Sequence, residues 1–230
     1  MSEPIHLRPT APLAPRVLLP GDPGRALALA QVVLGDDRRM FHHHRGLWGY
    51  TGTAADGAPL TIQSTGIGGP SGALVLEELA GMGARAAIRV GTARGLQDPV
   101  RPGALLAVTE VRALDGASRA LGGPETLPLA FADALVAAAA DAVSGPIVSH
   151  DVLHAPDAAD QAAAWRADGL LAADLETGAL AAVARRHGLA FGAILVLDGH
   201  RLDDEALAPR AERAGQAAAA ALAAADVAGG

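Results

Sequence analysis

The sequence contains no cysteine, no lysine and no asparagine among its 230 residues. Without cysteine, the chain has no thiol nucleophile, no disulfide and no zinc–thiolate site. Without lysine, it has no Schiff-base chemistry and no phosphate-binding lysine of the Walker type. All 18 basic residues are therefore arginines.

Aromatic residues and long apolar runs are also scarce. Only 3% of the residues are aromatic while 50% are hydrophobic, so the core must be built from alanine, valine and leucine. The formal net charge of −7 argues against a general nucleic-acid binder. Apolar stretches are interrupted well before the length of about 18 residues that a membrane span needs. The N-terminus opens with an acid and lacks a hydrophobic signal core, so a cytoplasmic enzyme is expected.

Strand and helix patterns alternate along the chain, which is typical of an α/β fold. The spacing predicts strands over 16–20, 47–54, 59–65, 86–91, 105–111, 146–150 and 190–197. It predicts helices over 25–34, 71–82, 131–143, 174–188 and 203–227. Because no repeat or linker divides this pattern, we expect one domain over residues 1–230. Its expected architecture is three α/β/α layers around a central mixed, largely parallel sheet.

Polar residues collect at the ends of the predicted strands, where ligands bind in sheets of this type. They are Gly21, Asp22, Arg25, Arg89, Thr92, Glu176, Asp198 and His200. Arg89 stands out because Ala86, Ala87, Ile88 and Val90 flank it, and a buried arginine requires an anionic partner. The combination of anion-binding groups with carboxylates points to a site that uses phosphate.

Several motifs resemble those of the hexameric purine nucleoside phosphorylase and uridine phosphorylase family. The motifs are GDPGR (21–25), RGLWGYTG (45–52), RVGT (89–92), DLETGALAAVA (174–184) and LVLDGH (195–200). They occur in order across roughly residues 6–200, and the first three are highly specific as a set. The resemblance implies the nucleoside phosphorylase fold and cleavage of an N-glycosidic bond by inorganic phosphate.

The resemblance also implies how phosphate is bound. The Gly21 N–H group, the Arg25 and Arg89 guanidinium groups and the Thr92 hydroxyl would hold its oxygens. Arg45 matches the arginine that the family sends into the site of the neighbouring subunit. Arginine suits this task because its charged, fork-shaped donors match a phosphate dianion.

Five further positions correspond to the family's ribose and base contacts. Glu176 matches the acid that holds the ribose 2′- and 3′-hydroxyls, and Leu175 replaces the methionine before it. Asp174 replaces the first glutamate of that motif, which shortens the side chain. Ile67 stands where a methionine commonly packs beside ribose and base. His6 resembles the histidine that crosses the dimer interface to the ribose 5′-hydroxyl.

Asp198 separates the two branches of the family. In the purine branch an aspartate here protonates N7 of the leaving base, whereas the uridine branch uses a Gln-x-Arg pair. Gln161 and Arg166 are five residues apart and do not form that pair, so a purine nucleoside is predicted, with uridine as the alternative. The family supports its aspartate with an arginine on the following segment. Arg210 and Arg213 are both candidates, and their spacing does not choose between them.

Two other functions are compatible with the motifs: a hydrolytic nucleosidase and a weakly catalytic nucleoside-binding relative. Arg25, Arg45 and Arg89 together favour phosphorolysis. The triplet His42-His43-His44 does not predict a metal site, because adjacent strand residues point to opposite faces. No cofactor is expected besides phosphate as co-substrate. The resemblance implies a homohexamer of three dimers, with Arg45 and His6 donated across the dimer interface.

Overall fold

The computed structural model describes residues 4–97, 101–198 and 201–225. The strands are β1 Arg16–Pro20, β2 Arg39–His42, β3 Gly49–Thr53, β4 Pro59–Gln63, β5 Ala86–Gly95, β6 Leu105–Ala113, β7 Thr126–Pro128, β8 Val143–Ser149, β9 Ala172–Asp174 and β10 Ala190–Leu197. The helices are α1 Pro23–Val33, α2 Gly69–Met82, α3 Gly116–Ala120, α4 Ala132–Ala138, α5 Ala158–Ala167, α6 Thr177–His187 and α7 Asp204–Ala224, with a short 3-10 turn at His44–Gly46.

The strands form one mixed sheet in the order β10-β6-β8-β9-β5-β1-β4-β3-β2, with β7 beside β6. Parallel pairing occupies its centre, where β1 pairs with β4 and β5, and β5 also pairs with β10. Since β10 pairs with β6 as well, strands β5, β10, β6, β8 and β9 close into a ring of pairings. This ring brings the ends of β5, β8 and β9 together.

Helices cover both faces of the sheet, because its central strands are apolar on both sides. In β1, Val17 and Leu19 belong to the core beneath α2 and α6, whereas Leu18 belongs to the core beneath α1 and α7. All three side chains are fully buried, and each contributes about 1.5–3 kcal/mol to folding. Helices α1, α4 and α7 pack together on one face, and α2, α3 and α6 on the other.

The predicted α/β/α architecture with a central mixed sheet is confirmed. Ala54–Ala58 closes the hairpin between β3 and β4, as the Asp56-Gly57 turn signal indicates. The short strands β2, β7 and β9 and helices α3 and α5 were not predicted, and α6 begins at Thr177 rather than at Asp174. The boundaries of the domain at residues 1–230 stay a prediction. In the part of the chain that is described, no helix is both long and apolar enough to cross a membrane.

Candidate active site

A cavity of about 1040 Å3 opens where β1, β5, β8 and β9 end. Its lining includes nine of the residues named from the sequence: Gly21, Asp22, Arg25, Arg45, Ile67, Arg89, Thr92, Leu175 and Glu176. Most of them come from loops that directly follow a strand, which places them at one edge of the sheet. The structure therefore gathers the predicted anion-binding residues around one space, together with Ile67, Leu175 and Glu176 of the predicted ribose and base contacts.

One wall of this cavity, the arginine wall, consists of Gly21, Arg25, Arg45, Arg89 and Thr92. Burial lowers the pKa of Arg25; Asp22 opposes this shift and the nearby positive charge of Arg89 adds to it. Two guanidinium groups that destabilise each other's charge gain from an anion placed between them. The arginine wall thus suits a phosphate dianion.

Arg89 is 3% exposed and is held by two carboxylates of its own chain. Its Nε atom lies 3.1 Å from Asp174 Oδ2, and its Nη2 atom lies 2.5 Å from Glu176 Oε2. Burial alone would lower the pKa of Arg89, but the two ion pairs outweigh burial and raise it. The prediction that Arg89 has an anionic partner is confirmed.

The remaining donor of Arg89 is free to bind a ligand. Its Nη1 atom is buried and forms no hydrogen bond with the described residues. Such a group costs about 1–3 kcal/mol when it is left unpaired. Gly91 permits the guanidinium to lie here, because a Cβ at that position would approach the Arg89 Cζ atom to 2.7 Å. The orphaned donor fits an oxygen of a bound anion.

Glu176 connects the arginine wall to the loop before α2. Its Oε1 atom accepts a 2.7 Å hydrogen bond from the Gly68 N–H group, while its other oxygen faces Arg89. Leu175 and Ile67 line the same space, and the Ile67 side chain is 84% exposed. A carboxylate here can exchange its protein donors for the hydroxyl groups of a sugar.

Asp174, which is one methylene shorter than the glutamate of the family motif, is held by hydrogen bonds from residues that the sequence analysis did not single out. It accepts hydrogen bonds from the Ser149 hydroxyl, from the Thr177 N–H group at 3.1 Å and from the Thr177 hydroxyl at 2.6 Å. Asp174 therefore positions Arg89 and starts α6 at the same time. The serine near the end of the predicted strand 146–150 was the available signal.

Arg45 lies in the 3-10 turn and has a positive φ of 59°, a conformation that is strained for a residue with a side chain. Buried His42 supports this turn: its Nδ1 accepts from the Arg8 N–H group, so its Nε2 donates to the His44 carbonyl. Burial lowers the pKa of His42, which favours the neutral ring that this arrangement requires. Arg45 lines the cavity of its own chain, and its donation to a neighbour stays a prediction.

The triplet His42–His44 shows no metal-binding arrangement. The His43 and His44 rings stack with centroids 4.5 Å apart, and both ring nitrogens of His42 already bond to the backbone. Across residues 4–97, 101–198 and 201–225, no group of three or more His, Asp or Glu side chains could hold a metal ion.

Asp198 is 4% exposed, and its Oδ1 atom accepts a 2.9 Å hydrogen bond from the Gly95 N–H group. Arg210 and Arg213 have other partners in this structure, since Arg213 pairs with Asp141 and Arg210 bonds to the Ala206 carbonyl. Support of Asp198 by either arginine during the reaction stays a prediction. Arg201, three residues after Asp198, lies 3.7 Å from its Oδ2 atom and lines the cavity instead. His200 falls outside the described residues.

His6 lies away from the cavity and pairs with α2. Its Nδ1 atom is 2.9 Å from Glu78 Oε1, and the N–H groups of residues 5–7 bond to the same carboxylate. This contact fixes the N-terminal segment on the outside of its own chain. A role in the site of another subunit stays a prediction.

Six further lining residues form a second group, the aromatic wall, of which sequence reasoning did not single out His150 and Trp165. It consists of Arg94, His150, Leu153, His154, Gln161 and Trp165. The His150 and Trp165 rings lie with centroids 5.0 Å apart. Burial lowers the pKa of His150, and the positive charge of Arg94 adds to that shift. Because α5 was not predicted, nothing in the sequence placed Gln161 and Trp165 in the site. The wall can pack against a flat ring.

The cavity can thus bind an anion at the arginine wall, hold a sugar at Glu176 and accept a flat ring at the aromatic wall. Comparison with known proteins agrees with this arrangement. A guanosine phosphorylase from Halorubrum lacusprofundi is 35% identical over 190 residues, covering 80% of this chain and 77% of that protein. A DeoD-type purine nucleoside phosphorylase from Exiguobacterium sp. is 32% identical over 202 residues, covering 84% of each.

A solved structure shares the fold over nearly the whole length. The crystal structure of uridine phosphorylase from Vibrio fischeri ES114 superposes with a TM-score of 0.82 at 28% identity, covering 91% of this chain and 92% of that chain. Residues 15–228 also match the family model of the phosphorylase superfamily. The chain therefore belongs to the phosphorylase superfamily, in its family of nucleoside phosphorylases.

Proposed function

We propose that this protein is a purine nucleoside phosphorylase, which transfers a pentosyl group from a purine base to inorganic phosphate. One observation carries the reaction class. Arg89 is buried between Asp174 and Glu176 and keeps one unpaired donor, beside Arg25 and Arg45 in the same cavity. A hydrolytic enzyme would have no use for three arginines at the position of its nucleophile.

In the proposed reaction a phosphate oxygen forms a bond to C1′ of the sugar as the C1′–N bond breaks. The bonding electrons leave with the base, which then takes up a proton, and the products are free base and pentose 1-phosphate. The sugar becomes cation-like during this step. Phosphate on one side and Glu176 on the other stabilise that charge more in the transition state than in the ground state.

The purine preference rests on Asp198 at the end of β10 and on the missing Gln-x-Arg pair. Asp198 would protonate the base as it leaves, which requires its carboxyl group to turn from the Gly95 N–H group toward the cavity. The guanosine and purine nucleoside phosphorylases among the relatives support this preference. Uridine is the second candidate, because the structural relative described above is a uridine phosphorylase.

Four further properties belong to this proposal. The enzyme acts in nucleoside salvage in the cytoplasm, and phosphate is its co-substrate without another cofactor. It assembles as a trimer of dimers. In that assembly Arg45 and His6 would complete the site of the adjacent subunit, which suits their position on the outer turn and on the N-terminal segment.

The test is base release from inosine, guanosine, adenosine and uridine, each with and without phosphate, followed by chromatography. We expect purine release that depends on phosphate. Release from uridine alone would retain the reaction class and overturn the purine preference. Release without phosphate would replace phosphorolysis with hydrolysis.

A further inference from the structure

Arg94 has no role in the reaction described so far. It lies near the end of β5, opposite Ala173 of β9, and its side chain is exposed to the cavity that it lines. Within the described ranges 4–97, 101–198 and 201–225, its guanidinium forms neither a hydrogen bond nor an ion pair. An arginine that reaches into a binding cavity without a protein partner is available to a ligand.

The surroundings of Arg94 place it at the aromatic wall. The N–H group of the next residue, Gly95, donates to Asp198, so Arg94 directly precedes the contact that anchors this acid. Its charge also contributes to the lowered pKa of His150, whose ring packs against Trp165. Arg94 therefore lies beside the surface that fits a flat ring, while Arg25 and Arg89 belong to the arginine wall.

We propose that Arg94 recognises the base, and that it selects bases that carry a ring carbonyl over bases that carry an exocyclic amine at the same position. This inference rests on the proposed function, because it assigns the aromatic wall to the base of a nucleoside. It adds the chemical class of that base and applies to purines and pyrimidines alike.

The hydrogen-bond donors of arginine explain why a base with a carbonyl group would be preferred to one with an amine. A guanidinium offers five N–H donors and no acceptor. It can therefore donate to a carbonyl oxygen, whereas an exocyclic amine is itself a donor and forms no hydrogen bond with it. Two carboxylates close to Arg94 along the strand pairing already accept hydrogen bonds from the chain. Asp198 accepts from Gly95, and Asp174 accepts from Arg89, Ser149 and Thr177. An exocyclic amine thus meets donors where it needs an acceptor.

Arg94 also differs from Arg201, another cation that lines the cavity. Arg201 lies 3.7 Å from Asp198 Oδ2, so its charge is partly matched within the chain. Arg94 has no such counter-charge among the described residues, and a carbonyl oxygen would be its first partner. A hydrogen bond to a charged donor that one substrate makes and the other cannot is worth about ten-fold or more in selectivity.

Two pairs of nucleosides test this directly, since each pair differs in a carbonyl against an amine: inosine with adenosine, and uridine with cytidine. We compare kcat/KM for both pairs in the parent enzyme, in Arg94→Met and in Arg186→Met. The control residue Arg186 is exposed at the end of α6, is paired with Glu77 and lies outside the cavity. Methionine keeps an unbranched stem and removes the guanidinium group with its charge.

We expect the parent enzyme to favour the carbonyl member of any pair that it turns over. Arg94→Met should lower that preference by about ten-fold, with kcat/KM for the amine member unchanged, while Arg186→Met keeps the parent ratio. An equal loss on both members would assign Arg94 a general structural role and overturn the proposal. A parent enzyme that prefers the amine member would overturn it as well, and would leave phosphorolysis intact.

A second measurement separates this inference from the proposed function. Titration calorimetry of hypoxanthine and adenine measures base binding without turnover. If no nucleoside is cleaved, tighter binding of hypoxanthine that is lost in Arg94→Met still supports the inference. Equal binding of the two bases by the parent protein contradicts it.

Discussion

Arg89 and Glu176 form an ion pair, and each of them is also proposed to contact a substrate. Arg89 is needed by the anion, and Glu176 is needed by the sugar, yet in this structure they lie 2.5 Å apart. Both are nearly buried, so neither can be left without a partner at low cost. Phosphate bound at the unpaired Nη1 donor would share the Arg89 guanidinium with Glu176, and the two negative charges would compete for its positive charge.

This competition predicts an opposite effect of Glu176→Gln on binding and on turnover. Glutamine keeps an oxygen for the Gly68 N–H group and removes the negative charge beside Arg89. We expect phosphate alone to bind several-fold more tightly, since a like charge is gone, and kcat to fall about 100-fold or more because the cation-like sugar loses a stabilising charge. Calorimetry and steady-state kinetics measure the two effects. Weaker phosphate binding would show that Glu176 does not compete for Arg89.

At the residue scale, the sequence identified the charged residues of the site but not the residues of the same chain that pair with them. A buried arginine in an apolar strand demanded an anion, and that requirement was met by Asp174 and Glu176 of the chain itself. The support of Asp198 was assigned to Arg210 or Arg213, whereas in this structure these residues bond to the Ala206 carbonyl and to Asp141, and Arg201 lies 3.7 Å from Asp198 Oδ2. Spacing along the chain does not reveal which of several partners an arginine takes.

At the scale of elements, the start of α6 is fixed by close backbone approach. Gly178 lies against Asp115 of the loop after β6 and against Ser149 of β8, and its N–H group donates to the Ser149 hydroxyl at 2.8 Å. Asp174 and Glu176 immediately precede this point. The contacts between the start of α6 and the sheet therefore determine the position of both carboxylates.

Gly178→Ala should displace that helix start. The new Cβ would lie 2.7 Å from Asp115 Oδ2 and 3.0 Å from the Ser149 Cβ atom. We expect a loss of about 1–3 kcal/mol in the free energy of unfolding together with a lower kcat/KM. Thermal unfolding at fixed protein concentration and nucleoside kinetics measure both.

Gly81→Ala is the matched control on α2, because a Cβ there meets nothing within 4 Å. This variant should be neutral or more stable by about 0.5–1 kcal/mol, with unchanged activity. A Gly178→Ala protein as stable and active as Gly81→Ala would show that close approach at α6 does not position the carboxylates.

The elements that could be predicted are those with strong local patterns. The hairpin β3–β4 has a turn signal, and β5 and β10 have continuous apolar runs. Strand β9 has three residues and exists because β5 and β8 flank it, which no local pattern encodes. Helix α5 has a single buried residue, Ala162, so it lacks the apolar stripe that identifies a helix. Trp165, which α5 carries into the aromatic wall, was missed for this reason.

At the scale of the whole molecule, the closed ring of strand pairings holds the two walls of the cavity on neighbouring strand ends. Gly21 and Arg25 follow β1, which pairs with β5 of this ring, whereas Arg45 lies on a turn after β2 and has a strained backbone. A residue in this position can line its own cavity or reach into that of an adjacent copy. The proposed dimer requires the second arrangement.

Mixing two defective variants distinguishes these arrangements. Arg45→Ala and Glu176→Gln should each be nearly inactive alone. If Arg45 acts in the adjacent subunit, co-expressed mixed dimers contain one site with an intact Arg45 and an intact Glu176, and roughly a quarter of all sites regain activity. If Arg45 acts in its own chain, every site remains defective. Purification through two different tags isolates the mixed dimers.

The central claim is that the cavity directs phosphate to C1′ of a nucleoside sugar. The most direct measurement is phosphorus-31 nuclear magnetic resonance of the reaction of inosine with phosphate. We predict that the inorganic phosphate signal decreases while a phosphomonoester signal of ribose 1-phosphate appears in equal amount with hypoxanthine. Release of hypoxanthine together with free ribose, at constant inorganic phosphate, would contradict the account.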